Sequence, residues 1–172
     1  ACLDHVFEGK TSSCLVNPRA CHETELVIMP ATTIKNIAVV GAGPAGLAAA
    51  TTAAQRGHKV TIFDSASELG GQFNIAKQIP GKEEFSETLR YYDRQMELHN
   101  VTIKLNTRVD ANTLNSSEFD DVIIATGIAP RTPPIEGIES VSYFTSSNLW
   151  DLRIKPEKLV VLGGGPIGTE LT

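Results

Sequence analysis

Short apolar runs and one long amphipathic stretch set the rhythm of this chain. Ile37 to Val40 is a continuous apolar run of buried-strand type, and Lys59 to Phe63 is a second strand segment. Between them Leu47 to Ala54 is alanine-rich, which favours helix, and Arg56-Gly57-His58 breaks it. Ile75 to Lys82, with Pro80-Gly81 as its turn, reads as a loop. Glu83 to His99 comes next as a helix: Phe85, Leu89, Tyr92 and Met96 make one apolar face, and Glu83, Glu84 and Glu87 favour the dipole of its first turns. Asn100 ends it, and Val101, Ile103 and Leu105 then alternate with polar residues in strand fashion. Val122 to Ile124 is a further buried-strand run, and Leu159 to Leu162 another. Strands alternating with helices predict an α/β fold: a parallel sheet with helices on both faces, interrupted by a small β excursion between Val101 and Gly127.

The turn after the first strand gives this frame a chemical purpose. Gly41-Ala42-Gly43-Pro44-Ala45-Gly46 is a G-x-G-x-x-G turn between strand and helix. The first glycine allows the tight turn, the second lets backbone approach a pyrophosphate, and the third lets helix and strand pack closely. The helix N-terminus then offers free N–H groups and partial positive charge to phosphate. Gly41, Gly43, Ala45 and Gly46 are the expected pyrophosphate contacts of a Rossmann-like unit. Asp64 ends the second strand 23 residues after Gly41, where a carboxylate can accept ribose hydroxyls. The plainer alternative is a strand–helix–strand unit that holds no ligand.

Composition narrows the partners. The chain has 172 residues, 41% hydrophobic and 20% charged, and a net charge of −5. No basic surface argues for nucleic acid or an acidic membrane, and no apolar run is long enough to span one. The expected setting is cytoplasmic. Three cysteines suit reduced thiols or metal ligation better than a disulfide framework. The sequence begins Ala1-Cys2-Leu3-Asp4 without Met and stops at Thr172, a few residues into an expected helix, so it reads as a piece of a longer chain.

The runs Ala1-Cys2-Leu3-Asp4, Ser13-Cys14-Leu15-Val16-Asn17-Pro18-Arg19-Ala20-Cys21 and Gly70-Gly71-Gln72-Phe73-Asn74 resemble the bacterial NADPH-dependent 2,4-dienoyl-CoA reductases and their trimethylamine dehydrogenase relatives. That resemblance implies an FMN-containing barrel joined to an FAD and NAD(P) region through a [4Fe–4S] cluster, with ligands in a C-x2-C-x3-C-x11-C pattern. Cys2 and Cys14 match its third and fourth ligands, and the first two would precede residue 1. The cluster and FMN therefore belong to the parent only. Cys21 has no counterpart. The same resemblance implies that Gly71, Gln72 and Lys82 run along FAD, Gln72 offering its amide near the ribityl–pyrophosphate stretch. It also implies that backbone at Val109 reads the adenine. Ala125-Thr126-Gly127 resembles the second FAD fingerprint of flavoproteins with two dinucleotide folds, which makes Thr126 and Gly127 candidates as well.

From about Val141 the likeness shifts toward mercuric-reductase-type pyridine nucleotide–disulfide oxidoreductases. Gly163-Gly164-Gly165-Pro166-Ile167-Gly168 stands after the last apolar run, and Gly163, Gly165 and Gly168 resemble the opening of an NADP unit. The change near residue 140 fits either a divergent homologue or a joined sequence. Three segments result: 1–33, an iron–sulfur segment and connector; 34–140, an FAD domain; 141–172, a linker and truncated nicotinamide domain. Residues 65–85 contain no cysteine, so the C-x4-C pair of a disulfide reductase is missing there. A simple NAD dehydrogenase explains the first motif but not Gly70-Gly71-Gln72 or Ala125-Thr126-Gly127. The reading is an electron-transfer oxidoreductase in which electrons from NADPH pass through FAD and the cluster to FMN, and the barrel reduces an enoyl substrate. A flavin-binding piece without catalysis, or a disulfide-reductase relative lacking the redox pair, are the alternatives. No residue presents itself as a catalytic acid, base or nucleophile, and His5, His22, His58 and His99 read as surface or packing residues.

Overall fold

The computed structural model describes residues 2–14, 16–115 and 118–171, with side chains from His5 onward. In chain order the elements are α1 (Cys2–Phe7), β1 (Asn36–Val40), α2 (Pro44–Gln55), β2 (Lys59–Phe63), α3 (Phe73–Ala76), α4 (Phe85–Leu98), β3 (Thr102–Lys104), α5 (Ala111–Asn115), β4 (Asp121–Ile124) and α6 (Pro166–Glu170). Two single 3-10 turns lie at Ile138–Ser140 and Leu149–Asp151.

The four strands make one sheet in the order β3-β2-β1-β4, every pairing parallel. The β1 register sets Val39 beside Ile62 on one side and Ile123 on the other. Because side chains alternate across a strand, Ile37, Val39, Val60, Ile62 and Ile123 point to one face. There they share a core with Leu47, Ala50 and Ala53 of α2 and Tyr92 and Met96 of α4. On the other face Phe119 meets Phe63 edge-on at 5.8 Å and Lys104 lies over the same ring. Val122 and Ile124, on the outer strand, stay open to solvent.

Differences from the sequence reading are local. The β excursion expected between Val101 and Gly127 is not a separate layer, since β3 and β4 both join the parallel sheet and α5 lies between them. Asp110 caps α5 by accepting the Thr113 N–H at 2.7 Å, and that bond holds its carboxyl below the usual range. The loop expected over Ile75 to Lys82 begins inside α3, which is pinned by Asn74 Nδ2 donating to the Leu69 carbonyl and by the Phe73 ring on Phe85. Helix α4 starts at Phe85 and ends before Asn100, which takes the left-handed conformation (φ +54°). Leu159 to Leu162 forms no strand; no described strand lies alongside it, and Val160 is 84% exposed.

The N-terminal segment lies against the α2–α4 side. Tyr92 donates its hydroxyl to the Val16 carbonyl at 3.1 Å, Arg56 Nε donates to the Met29 carbonyl, and Ala31 N–H donates to the Arg56 carbonyl. Burial pushes the Tyr92 hydroxyl up from its ordinary pKa, so it stays a neutral donor.

Candidate dinucleotide site

Three loops converge at the carboxyl ends of β1, β2 and β4, where open parallel sheets bind ligands. The first is Gly41 to Gly46. Gly41 sits at φ +106°, and a Cβ there would lie 2.2 Å from the Ala125 carbonyl oxygen. Only glycine allows this turn to run so close to the end of β4. Gly46 is equally constrained: its Cβ would lie 1.8 Å from the Gly41 oxygen. Pro44 then opens α2 at a position where the missing N–H costs nothing.

The second loop is Gly70-Gly71-Gln72. Gly70 N–H donates to the Ala42 carbonyl at 2.8 Å, and a Cβ on Gly71 (φ +53°) would stand 3.0 Å from the Gly43 Cα. The two glycine turns therefore touch backbone to backbone. The third loop leaves β4 through Thr126 and Gly127 (φ +75°) and is met by Gln72, whose Nε2 donates to the Ile128 carbonyl at 3.1 Å.

Asp64 stands where β2 ends and stitches this edge together. Its Oδ2 accepts the Ala42 N–H at 2.6 Å, and its Oδ1 accepts the Ala66 N–H at 2.8 Å. Its own backbone joins the turn after β3, for Thr107 N–H donates to the Asp64 carbonyl. Val109, half-buried, lies just past that turn. A carboxylate has about four acceptor positions, so two remain for ligand hydroxyls.

The chemistry of these loops fits a dinucleotide. The first intrahelical acceptor bond of α2 runs from Leu47 N–H to the Gly43 carbonyl. Among the described residues nothing accepts a hydrogen bond from the N–H groups of Gly43, Ala45 or Gly46. Gly46 is buried, so its N–H needs an acceptor from outside the chain. A Cβ at Gly43 would meet nothing nearer than the Gly71 Cα at 3.9 Å, so the protein leaves space in front of that turn. A pyrophosphate supplies both the acceptors and the charge that such a helix start favours.

The second glycine motif repeats the first in local geometry. Gly163 has φ +108°, a Cβ at Gly168 would lie 2.2 Å from the Gly163 oxygen, and Pro166 opens α6. Unlike Gly41, Gly163 has no neighbouring atom within 4 Å of its Cβ position. The turn is formed but stands on no sheet. Sequence reasoning missed Glu170, which binds Lys82 Nζ at 2.6 Å and so links α6 to the loop before α4. Eighty-eight residues separate the two, and nothing local to either foretells the pair.

Among the described residues no hydrogen bond joins Cys14 or Cys21 to these loops. Cys14 is an exposed thiol whose sulfur accepts the Asn17 N–H at 3.4 Å, and Cys21 is exposed at φ +64°. Cys2 opens α1, and its side chain is outside the described residues. No group of three His, Cys, Asp or Glu among the described residues could hold a metal ion. An open groove of about 540 Å³ lies between residues 16–29 and α2 with α4, and none of the glycine-loop residues lines it.

The chain as a whole is similar to known proteins. The sequence profile of the pyridine nucleotide-disulphide oxidoreductases matches residues 35–172. The chain belongs to that family. It is a family of flavin-dependent oxidoreductases, and its domain implies FAD and NAD(P) as cofactors. A metal reductase of Desulforamulus reducens is 38% identical over 98% of this chain, and a cinnamate reductase of Clostridium sporogenes 35% identical over 98%. Among solved structures, a 2-naphthoyl-CoA reductase in complex with 2-naphthoyl-CoA matches with a TM-score of 0.90 at 35% identity, over 97% of this chain. The likeness thus runs across residue 140. These relatives are of the dienoyl-CoA reductase and trimethylamine dehydrogenase type to which the N-terminal motifs and Gly70-Gly71-Gln72 pointed. The chain spans about a quarter of their length: 26%, 25% and 26%. No described helix is long and apolar enough to cross a membrane.

Proposed function

We propose that this chain is the FAD-binding, electron-transfer portion of an NAD(P)H-dependent reductase, with residues 34–140 as the FAD domain. The observation that carries this is the meeting of two glycine turns and the post-β4 loop around unpartnered N–H groups at one sheet edge. FAD bound here would supply hydride acceptance from NADPH and one-electron release, with a [4Fe–4S] cluster and an FMN barrel of the parent protein as the proposed acceptors.

The chain's own residues position and neutralise. Gly43, Ala45 and Gly46 donate N–H groups to the pyrophosphate, with Gly41 shaping the turn. Asp64 accepts the ribose hydroxyls with its free lone pairs, and Val109 offers backbone to the adenine. Gly71, Thr126 and Gly127 line the path onward, and Lys82, whose ammonium pairs with Glu170, is its further candidate contact. Gly163, Gly165 and Gly168 open the NADP unit within segment 141–172. Cys2 and Cys14, in segment 1–33, supply two cluster ligands; the N–H bond that the Cys14 sulfur already accepts is of the kind that thiolate ligands use. For the parent we propose an unsaturated substrate of the enoyl class in a cytoplasmic setting. Cinnamate and 2-naphthoyl-CoA, in the names of two relatives, both carry unsaturation conjugated to a carbonyl.

Asp64→Ala should weaken FAD binding by about 1–3 kcal/mol, the worth of a charge-assisted hydrogen bond. It also strips the acceptors from the Ala42 and Ala66 N–H groups, so thermal stability should fall together with affinity. Equal FAD affinity in a calorimetric titration counts against the ribose assignment.

One observation favours a narrower role for the 172 residues alone. The second glycine turn follows Leu159 to Leu162, which pairs with no described strand, so it lacks the sheet edge on which a Rossmann turn holds a pyrophosphate. The isolated chain should retain FAD yet show no flavin reduction on anaerobic mixing with NADPH, while a longer parent chain bleaches readily. Rapid bleaching by the 172-residue chain contradicts this placement of the nicotinamide site.

A further inference from the structure

Beyond β4 the chain crosses from the sheet edge as an exposed, irregular segment, Thr126 to Arg131. Upstream, Ala125 N–H is secured on the Val40 carbonyl; downstream, the Thr132 hydroxyl meets that of Tyr143. Between these points, among the described residues, a single hydrogen bond holds the segment, from Gln72 Nε2 to the Ile128 carbonyl. Gln72 directly succeeds Gly71, whose backbone abuts Gly43. The bond therefore ties the third loop to the two glycine turns, which are already fixed on each other by Gly70 N–H and the Ala42 carbonyl.

We propose that Gln72 is a positioning residue that holds the Thr126–Arg131 crossover as the third wall of the dinucleotide site. This rests on the flavin reading above and deepens it. The ADP half of FAD needs Asp64 and the N–H groups of Gly43, Ala45 and Gly46, none of which depends on the crossover. The half beyond the pyrophosphate is the part that a clamp between Gln72 and Ile128 serves. One N–H of the Gln72 amide is thus spent on protein, and its second N–H and its oxygen are left to face a ligand.

The test uses Gln72→Met, which keeps the side chain's length and removes the donor, with Gln72→Ala beside it. FAD and ADP are titrated separately, and trypsin cleavage after Arg131 is followed by mass spectrometry without ligand. Loss of one neutral hydrogen bond corresponds to about five- to tenfold in affinity. Both variants should bind FAD weaker by that factor, keep ADP affinity within about twofold of the parent chain, and be cut after Arg131 several-fold faster. Equal weakening toward FAD and ADP, or an unchanged cleavage rate, overturns the clamp. If the unmodified chain binds neither nucleotide, the flavin reading fails, and the cleavage rate still decides whether Gln72 holds the crossover.

Discussion

Gly46→Ala should destabilise the chain by more than about 3 kcal/mol, at the upper end of overpacking changes. The added methyl would sit 1.8 Å from the Gly41 carbonyl oxygen, and that oxygen belongs to a turn wedged against Ala125, the residue just after β4. Neither side can retreat without breaking the β1–β4 pairing or lifting α2 off the sheet. Gly57→Ala is the control. Gly57 also has positive φ (+94°), but nothing lies within 4 Å of its Cβ position, so only conformational strain of about 1–2 kcal/mol applies. Urea denaturation of the two variants gives the comparison. Similar midpoints for both would show that close approach at Gly46 is not what fixes the helix on the strand.

Gly43→Val should leave the fold intact and remove the ligand. Gly43 has φ −76° and ψ −180°, extended backbone that any residue adopts, and its Cβ position is clear of the protein to 3.9 Å. Stability should therefore stay within about 1 kcal/mol of the parent chain. The side chain would fill the space before the N–H groups of Ala45 and Gly46, and two charge-assisted hydrogen bonds lost together weaken binding by more than about 100-fold. Denaturant melts and FAD titration of the same preparation read both effects. A folded Gly43→Val chain with unchanged FAD affinity would remove the pyrophosphate assignment, whereas Gly46→Ala cannot make that distinction.

The sequence was most informative where local chemistry and tertiary contact agree. The turn at Gly41 to Gly46 could be read from three glycines and a proline, and the structure shows the two close approaches that require glycine. The same reading found the turn at Gly163 to Gly168, yet the strand expected before it is absent. Apolar residues such as Val160 specify a strand only when a neighbour is present to complete its ladder, and here none is described alongside. The short helices α3 and α5 escaped notice because four or five residues carry little periodicity; side-chain bonds from Asn74 and Asp110 stabilise them. The Lys82–Glu170 and Gln72–Ile128 contacts were beyond reach for another reason. They join residues 88 and 56 positions apart, through polar groups whose partners no spacing rule selects. Asp64 was legible as a residue at the end of β2, but its bonds to Ala42 and Ala66 give it a structural task that the ribose reading did not include.

Titration of the folded 172-residue chain with FAD, monitored by quenching of flavin fluorescence, tests the central claim most directly. The account predicts saturable binding of one FAD per chain, with an oxidised flavin band near ~450 nm that remains after gel filtration. A chain whose circular dichroism shows the α/β fold but which leaves flavin fluorescence unquenched would contradict it.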